Sequence, residues 1–124
     1  MHDDLESVSE RWREHVLEPR CAGRLDDGDA VRATAENAAC GDVLVVHGAW
    51  RDERLTLRFE ARGCWAVAAC ASASCERLDG SDREAVAAFD ADALVAELGG
   101  LPRARRHAAR MFARAFDEVR ARLG

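Results

Sequence analysis

The chain has 124 residues, 48% of them apolar, and a formal net charge of −5. That length supports a single domain over residues 1–124 with one modest core, and the acidic balance argues against a general nucleic-acid binder. No apolar run is long enough to cross a bilayer, and the opening MHDDLESVSERW is acidic where a secretory leader is basic and then apolar, so a soluble cytoplasmic protein is expected.

Leu5, Val8, Trp12 and Val16 recur at helical spacing, which predicts an amphipathic helix over residues 3–18, ended by Pro19. A loop rich in Gly and Asp follows. Strand character then appears three times: weakly at 31–35, strongly at 43–50, and at 54–61, where Leu55, Leu57 and Phe59 alternate with polar residues. The RDE between the last two reads as a hairpin connection. From Cys64 the period becomes helical and holds to Leu78, stopping at Asp79-Gly80. Ser81 with Glu84 three residues on is a capping-box pattern for another helix; Asp90 caps a further one through Leu98, ended by Gly99-Gly100. Pro102 opens a final helix with the apolar face Ala104, Ala108, Met111, Phe112, Ala115, Val119 and Leu123. The expected fold class is α+β, a small antiparallel three-stranded sheet with helices packed on one face.

Five cysteines, at positions 21, 40, 64, 70 and 75, form an odd set without a regular disulfide framework, which suits a reducing compartment and free or metal-bound thiols. Cys40 and Asp42 stand just before the strong strand, and Cys64 follows the end of its hairpin partner. In an antiparallel pair the start of one strand lies beside the end of the next, so the three side chains can converge. Gly41 and Gly63 leave the backbone beside the cysteines bare. Cys64 also opens a helix, where the macrodipole and free N–H groups favour a thiolate able to take up sulfur or bind a soft metal. Free cysteines often act as small buried apolar side chains, and no C-x-x-C or H-x-x-H pair is present, so spacing alone leaves core and ligand readings open. Cys70 and Cys75 lie roughly 9 and 16 Å further along the helix axis, too far to reach a metal held at its start.

The segments AACGDV (38–43), RGCWAVAACASASCERLDG (62–80) and LPRARRHA (101–108), with HVLEPRCAG (15–23), resemble the U-type iron-sulfur scaffold family of IscU, SufU and the N-terminal domain of NifU. The resemblance runs in order over nearly the whole chain, and the short connection from Gly80 to Leu101 is like that of IscU. It implies an IscU-like fold and a scaffold that accepts sulfur from a cysteine desulfurase and iron from a donor. Such a scaffold builds a [2Fe-2S] cluster and passes it to apo-protein acceptors, while some members bind zinc. Carried over by position, the ligand set is Cys40, Asp42, Cys64 and His107, with Cys40 and Cys64 as candidate persulfide acceptors. The family's third cysteine is missing, because its His-Cys pair is His107-Ala108 here. Cys21 falls at an asparagine position of the family, not at a ligand position.

The family's chaperone-recruiting Leu-Pro-Pro-Val-Lys segment reads LPRAR, which puts chaperone recruitment in doubt. Trp65 is unusually large for its place after Cys64 and could shield the site or offer a docking surface. The arginines at 103, 105, 106, 110 and 114 alternate with an apolar stripe, the pattern of a solvated helix face, and no nucleic-acid or membrane partner is expected. His15 and His47 read as structural or solvated. The expectation is a non-enzymatic scaffold carrying a labile [2Fe-2S] cluster or zinc. Its alternatives are a zinc-dependent sulfurtransferase-type persulfide carrier and a degenerate regulator that binds the desulfurase without a cluster.

Overall fold

The turn between the two best strands shows why the hairpin forms where it does. Asp52 and Glu53 both adopt left-handed backbone, with φ of 53° and 65°, as a two-residue I′-type turn requires. In the computed structural model, which describes residues 3–124, this turn joins β2 (Asp42–Arg51) to β3 (Arg54–Arg62). β1 (Val31–Asn37) pairs with the other side of β2, so the sheet is antiparallel in the order β1-β2-β3. Met1 and His2, part of the acidic opening, lie outside the described residues.

The register places Asn37 opposite Asp42 and Val43 opposite Arg62. The β1–β2 turn and the end of β3 therefore share one end of the sheet, the end that holds Cys40, Asp42 and Cys64. On one face Ala33, Ala35, Leu44, Val46, Leu55, Leu57 and Phe59 are buried, as the period-two pattern requires. Two long helices cover that face: α2 (Trp65–Leu78) against β3, and α5 (His107–Leu123) against β1 and β2. Gly48 permits the close approach of α5, since a Cβ there would stand 2.8 Å from Val119 Cγ1. Phe112 and Phe116 of α5 stack at 5.5 Å, and Phe89 meets both edge-on. The α+β layout thus stands as expected. No helix among the described residues is long and apolar enough to cross a membrane.

The N-terminal segment departs from the single helix expected over 3–18. A 3-10 turn (Asp3–Ser7) precedes α1 (Glu10–Leu17), and Ser9 between them caps α1 by accepting the Trp12 N–H. The same hydroxyl donates to the Leu98 carbonyl at 2.7 Å, a bond across 89 residues that fixes the break. Trp12 is fully buried and its indole N–H donates to the Gly100 carbonyl at 3.0 Å. His15 is structural: its Nδ1 and Ser72 Oγ share a hydrogen bond of 2.7 Å, and the same hydroxyl accepts the Arg20 N–H. Burial pulls the His15 pKa down, partly offset by Glu76. His47 is also buried and bonds Glu60 at 2.9 Å.

Two helix starts differ from expectation. Asp82, not Ser81, caps α3 (Arg83–Ala88) by accepting the Ala85 N–H, while Ser81 donates back to the Arg77 carbonyl. Asp90 caps α4 (Ala91–Glu97) as predicted. Pro102 precedes a separate 3-10 turn (Arg103–Arg105), closed by the Arg105 N–H to the Pro102 carbonyl, and α5 begins only at His107. Ala104 is consequently exposed in that turn, not part of the apolar face of α5.

Candidate functional site

Asp42, the first residue of β2, is only 1% exposed, and its two oxygens face different elements. Oδ1 accepts the Cys64 N–H at 2.8 Å, at the head of α2. Oδ2 accepts from His107 Nε2 at 2.9 Å, at the head of α5. The link before Cys64 has to be glycine: Gly63 has φ of +114°, and a Cβ there would sit 2.2 Å from Asp42 Oδ1. Cys64 is the N-cap of α2, its sulfur accepting the Ala66 N–H at 3.4 Å in place of the usual hydroxyl or carboxylate oxygen.

One contact escaped the sequence reading. Arg105 Nη1 donates to Cys64 Sγ at 3.0 Å, and the guanidinium lies 5.6 Å from the Trp65 ring centre. On sequence pattern alone the arginines of residues 103–106 belong to a solvated helix face. The signal available was proximity to His107, two residues on, which the 3-10 turn converts into a second reach toward the α2 head. Trp65 is 7% exposed, so its ring packs under the site and offers little surface for docking.

The Asp42 carboxylate meets the Cys64 backbone with one oxygen and the His107 ring with the other, while the Cys64 sulfur faces Arg105. Cys40 stands exposed in the β1–β2 turn, its N–H donating to the Asn37 carbonyl. Among the described residues no three His, Cys, Asp or Glu side chains are gathered to hold a metal ion in this arrangement. Asp42 spends its oxygens on the Cys64 N–H and His107, while Arg105 meets the Cys64 sulfur. Ala108, where the third cysteine is absent, is fully buried in the first turn of α5. That leaves His107 as the donor that this segment turns to Asp42.

The other cysteines belong elsewhere. Cys70 and Cys75 are buried within α2, and burial pushes both thiols far above their ordinary value, as inert core side chains require. Cys21 has φ of 64° in a loop whose backbone bonds to Phe59 of β3. Burial, and then Asp79 at the C-cap of α2, push its thiol up. Beside His107 a groove of about 550 Å³ runs between the end of β1 and α5, with Glu36, Asn37, Arg110 and Arg114 on its walls.

With the geometry defined, comparison with known proteins places it. The model of the NifU-like N terminal domain family matches residues 8–121. The iron-sulfur cluster assembly scaffold proteins IscU 1 and IscU 2 of Archaeoglobus fulgidus are each 32% identical over 109 residues, 87% of this chain and 71% of theirs. The bifunctional protein NifU/MnmA of Rubrobacter xylanophilus is 34% identical over 128 residues, which cover 96% of this chain and 26% of that protein. Among solved structures, the N-terminal part of a nitrogen-fixing NifU-like protein from Brucella abortus superposes with a TM-score of 0.69. At 17% identity over 98% of this chain and 97% of that one, the likeness is one of fold. Motif order, fold and family match agree, and the chain belongs to the NifU-like N-terminal domain family of U-type iron-sulfur scaffolds.

Proposed function

We propose that this chain works in iron-sulfur cluster assembly as a scaffold, holding a labile [2Fe-2S] cluster or zinc through Cys40, Asp42, Cys64 and His107. The observation that supports this reading is that the Asp42 carboxylate bonds both the Cys64 N–H and the His107 ring, which ties the heads of α2 and α5, far apart in sequence, to one end of the sheet. Two thiols, a carboxylate and an imidazole make a mixed S/N/O set that suits tetrahedral zinc and, through the thiolates, iron. A bound metal would keep its cysteine ligands deprotonated. To hold a metal, Asp42 and His107 would give up their mutual bond and Cys64 its contact with Arg105. Asp42 is the weaker, oxygen-donating ligand, which keeps the cargo exchangeable.

Sulfur comes from a cysteine desulfurase and iron from a donor, and the finished cluster goes to apo-protein acceptors. Cys40 is exposed and Cys64 half-buried, so both can meet a partner's persulfide. The attacking thiolate bonds to the terminal sulfur, the desulfurase S–S bond breaks, and the desulfurase cysteine leaves as a thiolate. All five cysteines are free thiols, which fits a reducing, cytoplasmic setting. The LPRAR segment folds into the turn that carries Arg105 to Cys64, which adds to the doubt that its altered sequence casts on chaperone recruitment.

Ala108 favours a second reading, a zinc-dependent carrier of persulfide sulfur, since a set one thiolate short retains a cluster poorly but still accepts a sulfur atom. Anaerobic purification with measurement of zinc, iron and acid-labile sulfide separates the two. Iron and sulfide in equal amounts support the scaffold; zinc alone, with one sulfur atom gained in the intact mass after incubation with a desulfurase and cysteine, supports the carrier. In either case Cys64→Ala and Asp42→Ala lower the bound metal and Cys75→Ala does not. Equal metal in all three variants defeats both readings.

A further inference from the structure

The charge of this molecule is strongly polarised around the site. Residues 101–114 contain five arginines and no acidic residue, in a chain whose acidic residues outnumber its basic ones by 23 to 18. Arg103, Arg106 and Arg110 lie in this stretch, and Arg62 stands two residues before Cys64 at the same end of the sheet. All four are exposed, and none has an ion pair or side-chain hydrogen bond among the described residues. Several exposed arginines elsewhere are engaged, Arg51 with Asp27, Arg77 with Glu97, Arg83 with Glu53 and Arg122 with Glu118, while Arg11 and Arg32, without an ion pair among the described residues, lie outside this cluster. The sequence pattern puts Arg103, Arg106 and Arg110 on a solvated helix face. The structure instead sets Arg103 and Arg106 on either side of Arg105 and places Arg110 on the groove beside His107.

We propose that Arg62, Arg103, Arg106 and Arg110 form a docking collar for an acidic polypeptide surface, which seats a protein partner over Cys64 and His107. The proposal rests on the reading of the site as one that exchanges cargo with another protein, and it names the chemistry of that partner. Four guanidiniums without a carboxylate partner among the described residues lose none of the described ion pairs when a partner's carboxylates arrive. Such complementarity orients and speeds the encounter within a Debye length of about 8 Å. A nucleic acid fits less well. Its run of phosphates needs an extended basic track, whereas the rest of this surface is acidic, and the one indole of the site is buried, unable to stack on a base.

The test uses the full chain and a fluorescein-labelled twelve-residue peptide of alternating Glu and Ser, read by anisotropy. A uridine heptanucleotide with the same number of charges is the competitor. The expected result is saturable peptide binding that weakens about tenfold between 20 and 200 mM salt. It should weaken at least tenfold in R62Q/R103Q/R106Q/R110Q at low salt, and by less than threefold in R11Q/R24Q/R32Q/R54Q, which removes equal charge elsewhere. Circular dichroism confirms that both variants fold. Equal loss in the two variants, no peptide binding, or stronger binding of the heptanucleotide than of the peptide would each overturn the collar. Zinc measured on the same samples separates the two ideas: peptide binding without metal or sulfur uptake leaves the collar standing and removes the scaffold, and metal binding without peptide binding does the reverse.

Discussion

Gly63→Ala tests the joint on which the site is built. The φ of +114° lies outside the conformations that L residues adopt readily, which costs about 1–3 kcal/mol. The new methyl also meets Asp42 Oδ1 at 2.2 Å and Asp42 Cα at 2.9 Å, and relieving that overlap costs about another 1–3 kcal/mol. For a domain of this size each kcal/mol lowers Tm by about 4 °C, so a fall of about 8–24 °C is expected. Gly41→Ala is the internal control. It has φ of +70° and nothing within 4 Å of the added Cβ, so only the left-handed strain of about 1–2 kcal/mol applies, or about 4–8 °C. Thermal unfolding followed by circular dichroism compares the two, and a double-mutant cycle with Asp42→Ala isolates the contact with the carboxylate. The clash with Oδ1 disappears in that background, so Gly63→Ala should cost less there. Equal Tm losses at positions 41 and 63, or strict additivity with Asp42→Ala, would refute the claim that Gly63 is held bare by Asp42.

Three further outcomes follow from the packing and protonation of the core. Phe112 is fully buried between Phe116 and Phe89, so Phe112→Ala should cost about 3–5 kcal/mol in a urea titration; a loss below 1 kcal/mol would mean that the ring cluster contributes little. Ser9→Ala removes both the α1 cap and the bond to Leu98, and about 1–2 kcal/mol should be lost in the same titration; an unchanged midpoint would mean that neither bond holds the break. Burial lowers the His15 pKa in the fold, so the unfolded chain takes up its proton first as pH falls below about 6.5. Stability should therefore be full above that pH and decline on acidification toward the lowered folded value. His15→Gln should flatten this decline in denaturant midpoints measured from pH 7.5 to 5; parallel pH profiles would show that His15 is not its source.

What the sequence displays and what it hides divide along the range of the forces involved. The 54–61 alternation is legible because one face of β3 is buried and the other is not, and Cys64 is legible as a helix start because the cap is a local bond to Ala66. The cap of α3 is less so. Ser81 and Asp82 are both good caps, and the choice falls on Asp82 because Ser81 is drawn into the turn, its carbonyl accepting the Leu55 N–H from β3. The break at Ser9 depends on a carbonyl 89 residues away, and no local pattern carries that. The site obeys the same division. Its residue types are visible in the chain, yet the bonds that join them span 22 residues from Asp42 to Cys64, 41 from Cys64 to Arg105 and 65 from Asp42 to His107. Periodicity identifies which side chains are buried on each element, but the pairing of Asp42 with two helix heads depends on how those helices lie across the sheet. Arg105 was misread for that reason: on an ideal helix it faces water, and only the 3-10 turn before His107 brings it onto the sulfur.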